Sequence, residues 1–188
     1  TRFLHERGGT IVAVGDVRGG IVNPEGLDVP KLVDHVKSTR SVVGFPGTDP
    51  IGNDEMLLLD VDVLVPAALG GVITEANAKD VRARIVLEAA NAPTTPRADE
   101  ILAERGIAVL PDIYVNAGGV TVSYFEWVQN IQQFTWEEEK INAELQRHMR
   151  DAYATLARIV RERKVSFRTA AFIVAIGRVG RATVLRGV

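Results

Sequence analysis

Short apolar runs alternate with stretches of helical spacing along most of this chain. Residues 10–14 form a β-branched run that stops at Gly15-Asp16, which predicts a buried parallel strand. Residues 41–45 predict a further short strand. The clearest strand is 61–65, rich in Val and stopped by Pro66-Ala67-Ala68, and 83–87 and 107–110 follow the same pattern. Helical spacing covers 27–37, with Asp28 as N-cap and Pro30 in the first turn. It recurs at 74–81, capped by Thr74, and from Thr95-Pro96 to Glu104, closed by Gly106. The first residues look like the end of a helix closing on Gly8 and Gly9.

From Val120 onward the pattern is helical throughout. A long amphipathic segment over 137–163 carries Ile141, Leu145, Met149, Tyr153, Leu156 and Val160 on one face, and 169–185 predicts a last apolar helix. Strands and helices alternating at short spacing argue for an α/β fold with a parallel, helix-covered sheet. Each strand is followed by small or polar residues: Gly15-Asp16, Pro66-Ala67-Ala68, Ala90-Asn91 and Asn116-Ala117. Ligands sit at the carboxyl ends of strands in such sheets, and a rim of small groups suits a flat nucleotide.

The stretch 111–127 concentrates this chemistry. Asn116, Gly118, Gly119 and Ser123 lie between the last strand and a helix. Paired glycines there allow close backbone approach to a ligand, and the free N–H groups of a helix start suit an anion or a carbonyl. Spacing alone leaves this reading level with a plain glycine-bearing turn.

Composition narrows the class. The chain has 188 residues, 46% hydrophobic and 24% charged, which is ordinary for a soluble globular protein. A net charge of -2 gives no global attraction to nucleic acid or to an anionic membrane surface. Without cysteine there is no disulfide, thiolate ligand or cysteine nucleophile, which is compatible with a cytoplasmic location. No apolar run reaches the length of a membrane span, and the start of the chain is not a secretory signal. A start within a helix predicts further sequence upstream. His5, His35 and His148 are scattered over helical positions and read as surface groups. No catalytic or metal-binding residue is assigned.

The segment Pro-Asp-Ile-Tyr-Val-Asn-Ala-Gly-Gly-Val-Thr-Val-Ser-Tyr-Phe-Glu-Trp, 111–127, closely resembles the signature of glutamate dehydrogenases within the glutamate/leucine/phenylalanine/valine dehydrogenase superfamily. The resemblance extends through Asn23-Pro24-Glu25-Gly26, Leu64-Val65-Pro66-Ala67-Ala68, Ala90-Asn91-Ala92-Pro93-Thr94-Thr95 and Arg168-Thr169-Ala170-Ala171, essentially the whole chain. It implies a Rossmann-like cofactor-binding domain, residues 1–125, with C-terminal helices, 126–188, that pack on it and link to a substrate domain. The implied enzyme oxidatively deaminates L-glutamate to 2-oxoglutarate and ammonia with NAD or NADP, and assembles as a homohexamer.

On this resemblance Asp16 faces the adenosine ribose, where its carboxylate accepts hydroxyl hydrogen bonds and repels a 2′-phosphate. Arg18 beside it offsets that repulsion, so both cofactors stay open. Ala67 and Ala68 lie against the cofactor, Asn91 and Asn116 bond the nicotinamide ribose region, and Ser123 and Val120 shape the pocket for the distal carboxylate of glutamate. Judged without the family, Asn91 and Asn116 read as turn residues, Ser123 as a helix-surface hydroxyl and Arg18 as a solvated arginine.

Two departures stand out. The family pattern Glu-Gly-Ala-Asn-Gly-Pro reads Glu88-Ala89-Ala90-Asn91-Ala92-Pro93 here, so alanine replaces both glycines. If those positions need positive φ, each alanine costs on the order of 1 kcal/mol or more. The first strand and its Gly-x-Gly-x-x-Gly turn for the pyrophosphate are missing, as is the domain that supplies the family's catalytic lysines and aspartate. The chain alone is therefore expected to be inactive. The alternatives are a catalytically silent regulatory or structural subunit and a non-catalytic nucleotide-binding module.

Overall fold

The computed structural model describes residues 1–187. The chain divides into two compact units. One comprises Thr1–Asp60 with Asp80–Arg82, and the other 61–79 with the chain from Ala83 onward.

In the first unit, helix α1 (Arg2–His5) leads to Gly8, which is left-handed at φ 86° as a helix exit requires. Strands β1 (Ala13–Asp16), β2 (Gly19–Val22) and β3 (Asp49–Ile51) form an antiparallel sheet in the order β1-β2-β3. The run at 10–14 is thus displaced toward its carboxyl end, and pairs antiparallel rather than parallel. Asp16 accepts the Arg18 N–H at 2.7 Å across the tight turn, and Gly19 at φ 137° reverses the chain into β2. A Cβ at Gly20 would stand 2.9 Å from the Ile51 side chain, so glycine there lets β2 and β3 approach.

Helix α2 (Val29–Thr39) starts on the expected cap: Asp28 Oδ1 accepts the Lys31 N–H at 3.1 Å. Ile21, Leu27, Leu32, Val42 and Phe45 form the core of this unit. Residues 41–45 supply core side chains as expected but form no strand. Their backbone turns because Asp16 takes the Val42 N–H and the Ser41 hydroxyl, each at 2.8 Å. The short helix α3 (Asn53–Met56) follows β3.

The second unit holds the parallel sheet, with β4 (Val63–Leu64), β5 (Ile85–Leu87) and β6 (Ala108–Leu110) side by side. Helix α4 (Pro96–Glu104) begins at Thr95, whose hydroxyl accepts the Ala98 N–H. Residues 74–81, expected to be helical, form turns instead. Asn77 is the cause: its Oδ1 accepts the Thr74 N–H and its Nδ2 donates to the Val72 carbonyl, each at 2.8 Å, which diverts the backbone from a helical ladder.

After β6 come α5 (Asp112–Val115), α6 (Ala117–Gln132), α7 (Glu138–Arg163) and α8 (Phe167–Leu185). Leu156 and Ile159 of α7 bury against Ala170 and Ala171 of α8, with Tyr114 from α5 alongside. Of the predicted α7 face, Leu156 is buried, Ile141, Leu145, Met149 and Val160 are half-buried, and Tyr153 is more open but stacks on Phe167. Val120, Tyr124, Trp127, Ile131 and Phe134 are exposed along α6 and its end. The fold is mixed α/β, a parallel sheet with helices and a helical C-terminal segment. No helix among the described residues is long and apolar enough to cross a membrane.

Candidate functional site

Register fixes where the strands end. Leu64 pairs with Val86 and Val86 with Val109, so β4, β5 and β6 run out on one rim of the sheet. Pro66-Ala67-Ala68, Glu88–Asn91 and Pro111–Asn116 therefore emerge side by side. Hydrogen bonds tie these loops together. The Pro66 carbonyl accepts the N–H groups of Ala89 and Ala90, at 3.0 and 2.9 Å, and the Leu110 carbonyl accepts that of Glu88 at 3.1 Å. Ala67 and Ala68 are exposed and present only methyl groups.

Asn116 Nδ2 donates to Asn91 Oδ1 at 2.8 Å, which joins the two predicted asparagines directly. With the amides so oriented, the N–H groups of Asn91 Nδ2 and the Oδ1 of Asn116 are not used in this bond, and Asn91 is exposed. A paired donor and acceptor beside small side chains can hydrogen-bond the hydroxyl and amide groups of a flat polar ligand. Gly118 and Gly119 fall inside the first turn of α6, since the helix begins at Ala117 rather than after them. Val120 is 71% exposed, and Ser123, one turn on, is exposed with its hydroxyl donating to the Gly119 carbonyl at 3.2 Å.

Beneath the rim lies a set of carboxylates around one guanidinium. Glu88 is fully buried at the end of β5. Its Oε1 accepts from Arg168 Nη2 at 2.8 Å and its Oε2 accepts the Asp112 N–H at 2.9 Å. Arg168 also donates to Asp99 at 2.9 and 3.2 Å, and its Nη1 stands 3.8 Å from Asp112 Oδ1. Burial disfavours the charge on Arg168, yet the hydrogen bonds to Asp99 and Glu88 outweigh it and hold the guanidinium above its ordinary value. For the Tyr114 hydroxyl, by contrast, burial is itself what raises the value.

Asp16 belongs to the other unit. Its Oδ1 accepts the Arg18 N–H and its Oδ2 accepts the Val42 N–H and the Ser41 hydroxyl. Those bonds, first from Arg18 and then from Val42, hold its carboxyl below the usual aspartate value. Three of its four lone-pair positions are thus taken within the chain.

The model of the Glutamate/Leucine/Phenylalanine/Valine dehydrogenase family matches residues 1–187. The chain belongs to this family. It is 51% identical over 183 residues to a glutamate dehydrogenase of Thermotoga maritima, covering 97% of this chain and 44% of that protein. The crystal structure of a hetero-hexameric glutamate dehydrogenase from Thermus thermophilus superimposes with a TM-score of 0.91 at 32% identity, over 100% of this chain and 44% of the other. Glutamate dehydrogenase from Peptoniphilus asaccharolyticus gives 0.81 at 33% identity, over 99% and 43%. The chain thus spans less than half the length of the glutamate dehydrogenases it matches.

Within this dehydrogenase family member, the two alanines that replace glycine differ. Ala92 is left-handed at φ 44°, whereas Ala89 is not among the residues with positive φ. Only one of the two replacements therefore meets the conformation that glycine favours. Spacing along the chain does not single out Glu88, Asp112 or Arg168. A signal existed for the first of them, because a glutamate that continues a buried apolar strand needs a buried partner.

Proposed function

We propose that the chain is the cofactor-binding part of an NAD(P)-dependent glutamate dehydrogenase, which converts L-glutamate, water and the oxidised dinucleotide to 2-oxoglutarate, ammonia and the reduced dinucleotide. The observation that carries this reading is the Asn116–Asn91 hydrogen bond on a rim of small side chains, in a chain 51% identical to a glutamate dehydrogenase. The nicotinamide supplies the hydride-accepting carbon. This chain binds and orients: Asn91 and Asn116 hold the nicotinamide ribose region, and Ala67 and Ala68 let the dinucleotide lie close. Asp16 faces the adenosine ribose with its remaining acceptor position, and Val120 and Ser123 shape the pocket for the distal carboxylate of glutamate. The carboxylate of Asp16 favours NAD, while Arg18 beside it leaves NADP as a second cofactor.

No catalytic acid or base is assigned to these residues, so the 188-residue chain alone turns over no glutamate. The working enzyme is a cytoplasmic hexamer, as the similar glutamate dehydrogenase from Thermus thermophilus is a hetero-hexamer. A second reading draws on Ala92, whose left-handed backbone is strained for an alanine. In that reading the chain belongs to a catalytically silent subunit of a mixed assembly.

The test is glutamate-dependent reduction of NAD and of NADP by the protein as its gene encodes it, compared with Asn91→Ala and Asn116→Ala. Turnover that falls in both variants supports the dehydrogenase. No turnover together with no binding of reduced dinucleotide assigns the silent subunit instead. Turnover by the isolated 188-residue chain would overturn the claim that its residues bind and orient without performing the proton transfers.

A further inference from the structure

We infer that Asp112 is a positioning residue that sets the geometry of both asparagines, and that Arg168 and Glu88 hold Asp112 in place. This rests on the reading of Asn91 and Asn116 as dinucleotide ligands. Asp112 Oδ2 accepts the Ala92 N–H at 2.7 Å. That N–H belongs to the peptide joining Asn91 to Ala92, so the bond fixes the plane from which the Asn91 side chain departs. Ala92 sits at φ 44°, a conformation an L-residue keeps only against a steric penalty. A charge-assisted hydrogen bond at that N–H offsets the penalty.

The same residue reaches the other asparagine through its backbone, because the Asp112 carbonyl accepts the Asn116 N–H at 3.0 Å. One residue therefore meets both partners of the Asn116–Asn91 bond. On its far side Asp112 is itself anchored. Its N–H donates to the buried Glu88, its Oδ1 accepts the Ile113 N–H at 2.7 Å, and Arg168 of α8 stands beside that same oxygen. The chain of contacts runs from α8 through Arg168, Glu88 and Asp112 to the nicotinamide-facing pair.

From the other side, Gly71 donates to the Ala92 carbonyl at 2.9 Å. A Cβ at Gly70 would lie 2.9 Å from the Asn91 carbonyl. The loop is clamped between that turn and Asp112, so losing the Asp112 acceptor frees one side only.

The experiment is Asp112→Asn in the protein as its gene encodes it. The amide keeps size and shape but offers one acceptor oxygen where two N–H groups, of Ala92 and Ile113, now bond. In ligand-free protein, hydrogen exchange at the Ala92 amide is expected to accelerate about tenfold while the β5 amides keep their protection. KM for the dinucleotide is expected to rise about tenfold, with kcat at saturating dinucleotide within about threefold of wild type. Arg168→Lys, which keeps the charge and loses the fork, is expected to move both readouts the same way by less. Should Asp112→Asn fail to fold, that variant alone decides.

Unchanged Ala92 exchange and unchanged KM would overturn the inference. So would acceleration spread equally over β5 and β6 with KM and kcat worsening together, the mark of a merely structural residue. If wild type neither binds nor uses a dinucleotide, the reading of the asparagine pair fails. The ligand-free exchange still judges whether Asp112 positions the loop.

Discussion

Arg168 of α8 donates to Glu88 Oε1 at 2.8 Å, and Glu88 has no exposed surface. The arginine is the cation paired with that buried carboxylate. A pair of this kind adds little net stability over a well-packed apolar substitute, but losing one partner strands the other charge away from water.

Arg168→Ala is therefore expected to destabilise the protein by about 3–5 kcal/mol, since Glu88 and Asp99 both lose their cationic partner and, among the described residues, only the Asp112 N–H remains on Glu88. Arg158→Ala provides the contrast. Its bridge to Glu162 at 2.8 Å is more than half exposed on both sides, so the cost is expected within about 0.5 kcal/mol. Urea denaturation of the two variants measures the difference. Equal costs would show that burial of Glu88 is not what gives Arg168 its weight.

Ala92 and Ala89 give opposite predictions for the same substitution. Ala92→Gly relieves a left-handed alanine, worth about 1–2 kcal/mol, against about 0.4–1 kcal/mol of extra unfolded-state entropy, so a net gain of up to about 1.6 kcal/mol is expected. Ala89 has no such strain, and Ala89→Gly is expected to cost about 0.5–1 kcal/mol through entropy alone. Thermal melts of both single variants check the signs.

Buried Thr94 carries the third prediction. Its Oγ1 is the buried side-chain oxygen with no hydrogen-bond partner among the described residues. Thr94→Val keeps the branched shape and removes the unmatched hydroxyl, so stability is expected to rise by about 1 kcal/mol. A loss of similar size in denaturant unfolding would mean that the hydroxyl finds a partner in solution.

How much of this was legible follows the range of each interaction. The caps at Asp28 and Thr95 lie three residues from the N–H groups they accept, so the sequence displays them. The shared rim of Ala67, Ala68, Asn91 and Asn116 followed from parallel pairing, which short β-branched runs announce. By contrast, Arg168 and Glu88 stand 80 positions apart, and no local pattern links them. Residues 41–45 look like a strand by composition, and only the carboxylate of Asp16, 26 positions before Val42, turns them aside. The run at 10–14 has the composition of a parallel strand, yet Gly19 and the Asp16 turn fold it into a hairpin.

The contacts of Asp16 also make the first unit sensitive to acid. Hydrogen bonds from Arg18 N–H and then Val42 N–H hold the Asp16 carboxyl below its usual 3.8. A carboxyl whose value is lower in the folded state stabilises fully above the unfolded value, and that contribution disappears as pH falls through the folded one. The tether of Ser41 and Val42 to β1 is therefore expected to hold throughout the neutral and mildly acidic range and to release only below 3.8. Following the Val42 amide by NMR during acid titration reads this directly, with a midpoint expected below 3.8. In Asp16→Asn the same resonance should lose its titration, and the chain should melt earlier at neutral pH, because a neutral amide is the weaker acceptor for Val42 and Ser41. A Val42 midpoint at or above the usual aspartate value would show that the carboxylate does not bind the loop.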